Sequence, residues 1–144
     1  MSGERVPRIG CHRHGELGGA VRAQRGPFRG LRRLVQHRGH RGGERLGPAL
    51  KRYRTQSFLA CKTDMRDAVK SRAALENSLK LLQTDHFDLY QLHGIPNIQE
   101  AEQCLAPGGA LETLVNARNE GLIRHIGFSA HSEEAALLLL DQFE

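Results

Sequence analysis

Two strand-like segments of this chain end in residues that can do chemistry. Phe58-Leu-Ala-Cys-Lys-Thr63 carries Lys62 next to its end, and Phe87-Asp-Leu-Tyr-Gln-Leu-His-Gly94 carries His93 just before a glycine. With a period of two, Phe58, Ala60 and Lys62 project to one side of the first segment, and Phe87, Leu89, Gln91 and His93 to one side of the second. In a parallel α/β barrel the C-terminal strand ends face a common mouth, and chemistry collects there. An ammonium and an imidazole at two such ends point to one site. Tyr90 alternates away from His93 and is expected to face outward. Cys61 alternates away from Lys62 and is read as a small buried apolar residue with no redox role. His125 and His131 are expected to be exposed or at strand ends, and Cys104 to lie in a loop before Pro107. No set of His and Cys has metal-ligand spacing, so no metal site is expected.

The elements that must position these residues alternate. Leu46, Ala49 and Leu50 fall at helical spacing over 44–53. Asp67 is a candidate N-cap for a helix running to about Leu82, whose apolar face is Leu75, Leu79 and Leu82. Glu76 and Lys80 stand at i,i+4 on another face of that helix. Asp85 closes the turn before the His93 segment, and Pro96 blocks its continuation. Pro107-Gly-Gly109 opens a further helix that Gly121 terminates. Ile123 to Ser129 reads as a third strand, with Gly127 where another backbone can approach closely. Ser132 caps a last helix, with Glu133 and Glu134 at the positive end of its dipole. The order α, β, α, β, α, β, α predicts a parallel sheet.

The chain has 144 residues, whereas a complete (β/α)8 barrel takes roughly 250. The expected fold is therefore an incomplete parallel barrel, open at both flanks, with Phe58 and Leu89 left uncovered on the inner face. The three cysteines, Cys11, Cys61 and Cys104, show no paired spacing, which argues for a reducing, cytoplasmic setting. No apolar run approaches the roughly 20 residues of a membrane span, and no signal peptide is visible.

The blocks Glu44-Arg-Leu-Gly-Pro-Ala-Leu-Lys-Arg-Tyr-Arg54, Phe58 to Thr63, Glu76 to Ile95 and Pro107 to Ser132 resemble, in order and spacing, the aldo-keto reductases. The resemblance runs from Glu44 to about Asp141, about two thirds of the chain. The resemblance implies NADPH-dependent reduction of a small-molecule carbonyl to an alcohol, with a Tyr acid, a Lys, an Asp and a His at the site. Lys62 matches the family lysine, whose positive charge lowers the tyrosine pKa. His93 matches the histidine that orients the carbonyl and relays a proton. Ser129 matches the residue that hydrogen-bonds the nicotinamide carboxamide; the asparagine usual after it is Ala130 here. The Asp and Tyr of the family should stand in an Asp-Thr-Ala-x-x-Tyr-Gly motif just before Glu44. That place reads Gln36-His-Arg-Gly-His-Arg-Gly42, so neither is present. The residues that grip the adenine and its 2′-phosphate are expected beyond residue 144. Cofactor binding is accordingly expected to be weak or lost, and the fragment inactive alone.

The sequence divides at residue 44. Residues 1–45 hold eleven arginines against three glutamates, whereas the remainder has ten basic and thirteen acidic residues. The net charge of +5 thus arises wholly in the first third. Residues 1–43 show no sustained period, so no helix or strand is expected there and the segment is read as disordered or frame-shifted. A basic arm binding nucleic acid on a remnant reductase scaffold is the alternative reading of function. Phe28 as its lone aromatic argues against it. A transit peptide would be Arg-rich and acid-poor, but the abundant glycine opposes that. A reductase N-terminus read out of frame fits these residues best. A one-base shift can turn Val35-Gln-His-Arg-Gly39 into Phe, Asn or Ser, and then Thr-Ala, close to the family's second strand.

Overall fold

The computed structural model describes residues 33–36 and 40–142 of the chain. In chain order the elements are β1 (Arg33–Gln36), α1 (His40–Lys51), a single 3-10 turn (Arg54–Gln56), β2 (Ser57–Thr63), α2 (Ala68–Leu82), β3 (Phe87–Ile95), α3 (Ile98–Leu105), α4 (Ala110–Asn119), β4 (Ile123–Ala130) and α5 (Glu133–Leu140). The strands form one sheet in the order β1-β2-β3-β4, each pair parallel. Four adjacent parallel strands with connecting helices make a partial (β/α) barrel, as expected from the sequence.

Local signals explain the elements. The Asp67 side chain accepts from the Lys70 N–H and opens α2; Asn97 and Ser132 cap α3 and α5 in the same way. Gly121, at φ 80°, takes the left-handed turn that ends α4. Leu75 and Leu82 of α2, Leu114 of α4 and Leu139 of α5 are fully buried, together with Leu59, Tyr90, Leu92 and Ile126 of the strands. Each such aliphatic side chain contributes about 1.5–3 kcal/mol by leaving water. The helices pack in a layer, α1 on α2, α2 on α4, and α3 on both α4 and α5. Gly47 permits the first of these contacts: a Cβ there would stand 2.5 Å from the Leu81 carbonyl oxygen.

The structure corrects several expectations. β1 and the start of α1 fall within residues 1–43, where neither a strand nor a helix was expected. The Leu34-Val35 pair is too short to set up an alternating pattern, and parallel pairing with β2 makes the strand. The rest of that segment lies outside the described residues, and so does the question of its order. The helix α3 was missed; its eight residues mix polar and apolar types, and Ala101 and Cys104 alone are buried. Cys104 is thus a core residue of a helix, not a loop residue. Phe87 departs from the alternation: it is fully buried with its ring 5.5 Å from that of Tyr90. Glu76 pairs with Arg72 one turn earlier, at 2.6 Å, where Arg72 also reaches Glu120, the residue just past α4, at 2.8 Å.

Candidate active site

Lys62 and His93 lie at the C-terminal ends of neighbouring strands. The register sets Lys62 opposite Gln91, and residues opposite each other in a parallel pair project to the same face. His93 follows Gln91 by two, so the ammonium and the imidazole share a face. Phe58, Lys62, Leu89, Gln91 and His93 on that face are all half-buried, while Leu59, Cys61, Tyr90 and Leu92 on the other face are buried beneath helices. Gly127 sits opposite Gln91 on β4. A Cβ at Gly127 would lie 3.2 Å from both Gln91 Cγ and Leu89 Cδ1, so the glycine makes room for these side chains to lean across the inner face.

The end of β3 is not a regular strand. Leu92 pairs with Phe128 and Ile95 with Ala130, so His93 and Gly94 together oppose the single residue Ser129. This is a β-bulge, which re-aims side chains where it occurs. Gly94 takes φ 61°, a left-handed conformation that costs a residue with a Cβ about 1–2 kcal/mol. The extra residue also returns Ile95 to the helix-covered face, where it is fully buried. Ser129 fills the bulge: its Oγ accepts from the Gly94 N–H at 2.9 Å and lies 3.0 Å from His93 Nδ1.

Arg66, in the loop after β2, was not singled out from the sequence. Its Nη2 donates to the His93 carbonyl at 3.0 Å, and its Nε donates to Glu100 of α3 at 2.7 Å. It ties the β2 loop to the bulge across 27 residues of sequence, a separation that leaves no local signature. The same loop is closed from the other side. The Arg66 carbonyl accepts from Ala110, and the Gly108 carbonyl accepts from Ala68. Pro107-Gly-Gly109 therefore serves the mouth as well as opening α4.

Both tyrosines stand away from this mouth. Tyr90 is fully buried on the helix-covered face, and burial pushes its phenol well above the ordinary range. Tyr53 precedes β2 at the opposite end of the sheet, exposed and beneath the Arg52 guanidinium at 5.8 Å. Cys61 is buried on the helix side as expected, and burial raises its thiol pKa while the Lys62 backbone and Ser78 oppose the shift. His125 and His131 are exposed. Among the described residues no group of His, Cys, Asp and Glu could hold a metal ion, and no helix is long and apolar enough to cross a membrane.

Comparisons with known proteins agree with this fold. The model of the Aldo/keto reductase family matches residues 43–138. Aldo-keto reductase YhdN of Bacillus subtilis is 37% identical over 103 residues, which are 63% of this chain and 29% of that protein. A solved structure of a Pseudomonas aeruginosa protein assigned to the aldo-keto reductases superposes with a TM-score of 0.67 at 28% identity, over 76% of this chain and 45% of that one. An aldo-keto reductase of Klebsiella pneumoniae, solved in complex with NADPH, superposes with a TM-score of 0.57 at 29% identity, over 69% of this chain and 33% of its own. The chain thus spans less than half the length of each of these relatives.

Proposed function

Because this chain belongs to the aldo/keto reductase family, we propose that it carries part of an NADPH-dependent carbonyl-reducing site and does not turn over carbonyls by itself. The observation that carries the reading is the placement of Lys62 and His93 on one face, at the C-terminal ends of adjacent parallel strands. There His93 is the group to orient a small-molecule carbonyl and to donate a hydrogen bond to its oxygen as negative charge develops. The Lys62 ammonium favours the ionised form of any acid beside it and so assists proton delivery.

The residues present fit the nicotinamide end of the cofactor. Ser129 Oγ has two partners in the bulge, and a hydroxyl can make three hydrogen bonds, so one position remains for the carboxamide. NADPH, when bound, supplies the hydride. The proton donor is what this chain lacks. Of its two tyrosines, one is under the helices and the other at the far end of the sheet, and β1 ends at Gln36 with no Asp or Tyr before Glu44. A lost general acid costs about 10²–10⁴ in rate, and weak cofactor binding multiplies that loss. A cytoplasmic setting suits Cys61 and Cys104, two buried residues not joined in a disulfide.

Consumption of NADPH with a panel of aldehydes and ketones tests the reading. The expected result is no turnover above the uncatalysed rate. Turnover at the rates of full-length reductases would overturn the claim of inactivity and would require a proton donor other than tyrosine.

A further inference from the structure

We propose that Ser129 is a positioning residue that sets the tautomer of His93, holding the ring proton on Nε2 and fixing which hydrogen bond Ser129 itself can offer a cofactor. The inference rests on the direction of two hydrogen bonds. The Gly94 N–H donates to Ser129 Oγ at 2.9 Å, and an amide N–H can run no other way. The contact between Ser129 Oγ and His93 Nδ1, at 3.0 Å, could in principle run either way. It is decided by the hydroxyl's own proton. Of the two groups bonded to Ser129 Oγ, the Gly94 amide can only donate, and His93 Nδ1 is the one able to accept. A proton on Nδ1 would leave the hydroxyl proton of a half-buried serine with no acceptor in either group. The arrangement Gly94 N–H to Ser129 O–H to His93 Nδ1 satisfies all three groups. Accepting from the amide also polarises the hydroxyl and makes it the better donor.

The bulge is what makes this possible. On a regular strand one residue of β3 would face Ser129. Here His93 and Gly94 both do, so a backbone donor and a ring acceptor meet one hydroxyl. The left-handed Gly94, at φ 61°, turns its N–H toward β4. Arg66 secures the bulge from behind through the His93 carbonyl. With the ring proton on Nε2, the imidazole is a donor toward the mouth. That is the form needed to hold a carbonyl oxygen. A second consequence follows for the cofactor, and this part rests on the function proposed above. With its proton given to His93 and one lone pair given to Gly94, Ser129 can only accept from a carboxamide N–H and cannot donate to a carboxamide oxygen.

The test needs no activity. Two-bond proton–nitrogen spectra of the chain labelled with ¹⁵N in its histidine rings, taken where the imidazoles are neutral, report which nitrogen carries the proton. His93→Gln identifies the His93 signals by their loss. The expected result is a protonated Nε2 and an Nδ1 shifted away from the unbonded pyridine-type position by its hydrogen bond. Ser129→Ala should move Nδ1 to the unbonded position, and Ser129→Thr, which keeps the hydroxyl on a strand-favouring side chain, should restore the shift. A proton on Nδ1 in the unsubstituted protein would overturn the proposal outright, whatever the variants do. An Nδ1 signal unmoved in Ser129→Ala would overturn it as well. Neither result bears on whether the chain reduces carbonyls.

Discussion

The two ends of this one sheet are built differently. At the C-terminal ends of the strands, Lys62, His93 and Ser129 share a half-buried face, and the backbone is bulged and left-handed. At the N-terminal ends, Asp88 is buried among partners. Its Oδ2 accepts from Arg54 at 2.9 Å and from the Leu59 N–H at 2.9 Å, and its Oδ1 accepts from Arg124 at 3.1 Å. Arg54 also donates to Thr84 Oγ1 and to the carbonyls of Ser57 and His86. Every oxygen of the buried carboxylate is thus engaged, and one guanidinium joins the entry to β2 with the entry to β3. The contrast matches the general division of a parallel barrel, where the lower end serves stability and chemistry collects at the C-terminal strand ends. It teaches that charge alone does not mark a functional site: Asp88 is a buried carboxylate, and all its partners tie strand entries together.

The largest expected effect is therefore at the end without chemistry. Asp88→Asn should cost about 3–5 kcal/mol, because it strands Arg54 without its carboxylate and weakens the link to β2. Denaturant unfolding measures it as a drop in midpoint. Lys62→Met, at the mouth, should cost far less. A loss at Lys62 as large as that at Asp88 would erase the contrast between the two ends. The acid limb gives a second measure of the same carboxylate. Burial opposes its ionisation, but the Leu59 N–H and the two guanidiniums together hold its pKa below the usual range. A lowered folded value means that the stabilisation is fully present above about pH 4, the ordinary value of an unfolded aspartate, and is lost as pH falls through the lower folded value. The gap between the protein and its Asp88→Asn variant should therefore narrow in acid.

An intermediate effect is expected at the mouth. Gly94→Ala places a Cβ on a left-handed residue at φ 61°, which costs about 1–2 kcal/mol. The new atom would stand 3.6 Å from His131 Nε2, an ordinary contact, so backbone strain and not a clash is the cause. Relief of that strain would disturb the bulge, and the His93 Nδ1 signal should shift with it. A Gly94→Ala protein of unchanged stability and unchanged imidazole signals would show that the bulge does not depend on this conformation.

The two ends were also unequally legible. Lys62 and His93 stand in short blocks whose residue types and order can be read directly, and the alternation in β2 and β3 places them on one face without any coordinates. The glycine after His93 was visible in the sequence, but not that Ser129 would fill a bulge there, since the bulge appears only when β3 and β4 are paired. The lower network had no such trace. Arg54 and Asp88 are 34 residues apart and Asp88 and Arg124 are 36 apart, and each looks like an ordinary charge beside a strand. Asp88 even falls at a position whose alternation predicts burial, which is the one hint available: a buried carboxylate requires partners. The strand β1 was hidden for a different reason. Its pairing with β2 makes it a strand, and an Arg- and Gly-rich sequence around four residues offers no period to detect.

The smallest effect separates the two arginines of the lower network. Both reach Asp88, at similar distances, but the Arg54 side chain is 15% exposed and that of Arg124 is 53% exposed. Water and salt screen the more exposed pair, and its charge loses little solvation when the contact forms. Arg124 also makes a single contact with Asp88, whereas Arg54 spreads its donors over four acceptors. Arg124→Ala should accordingly cost below about 1 kcal/mol, and added salt should shrink even that. Arg54→Ala should come close to Asp88→Asn, because it leaves the carboxylate and the His86 carbonyl without their buried donor. Unfolding of the two variants at low and high salt is the measurement. If Arg124→Ala matched Arg54→Ala, distance rather than burial would govern these pairs. The lower end would then be held by the charge of three residues, and not by the bonds of one guanidinium.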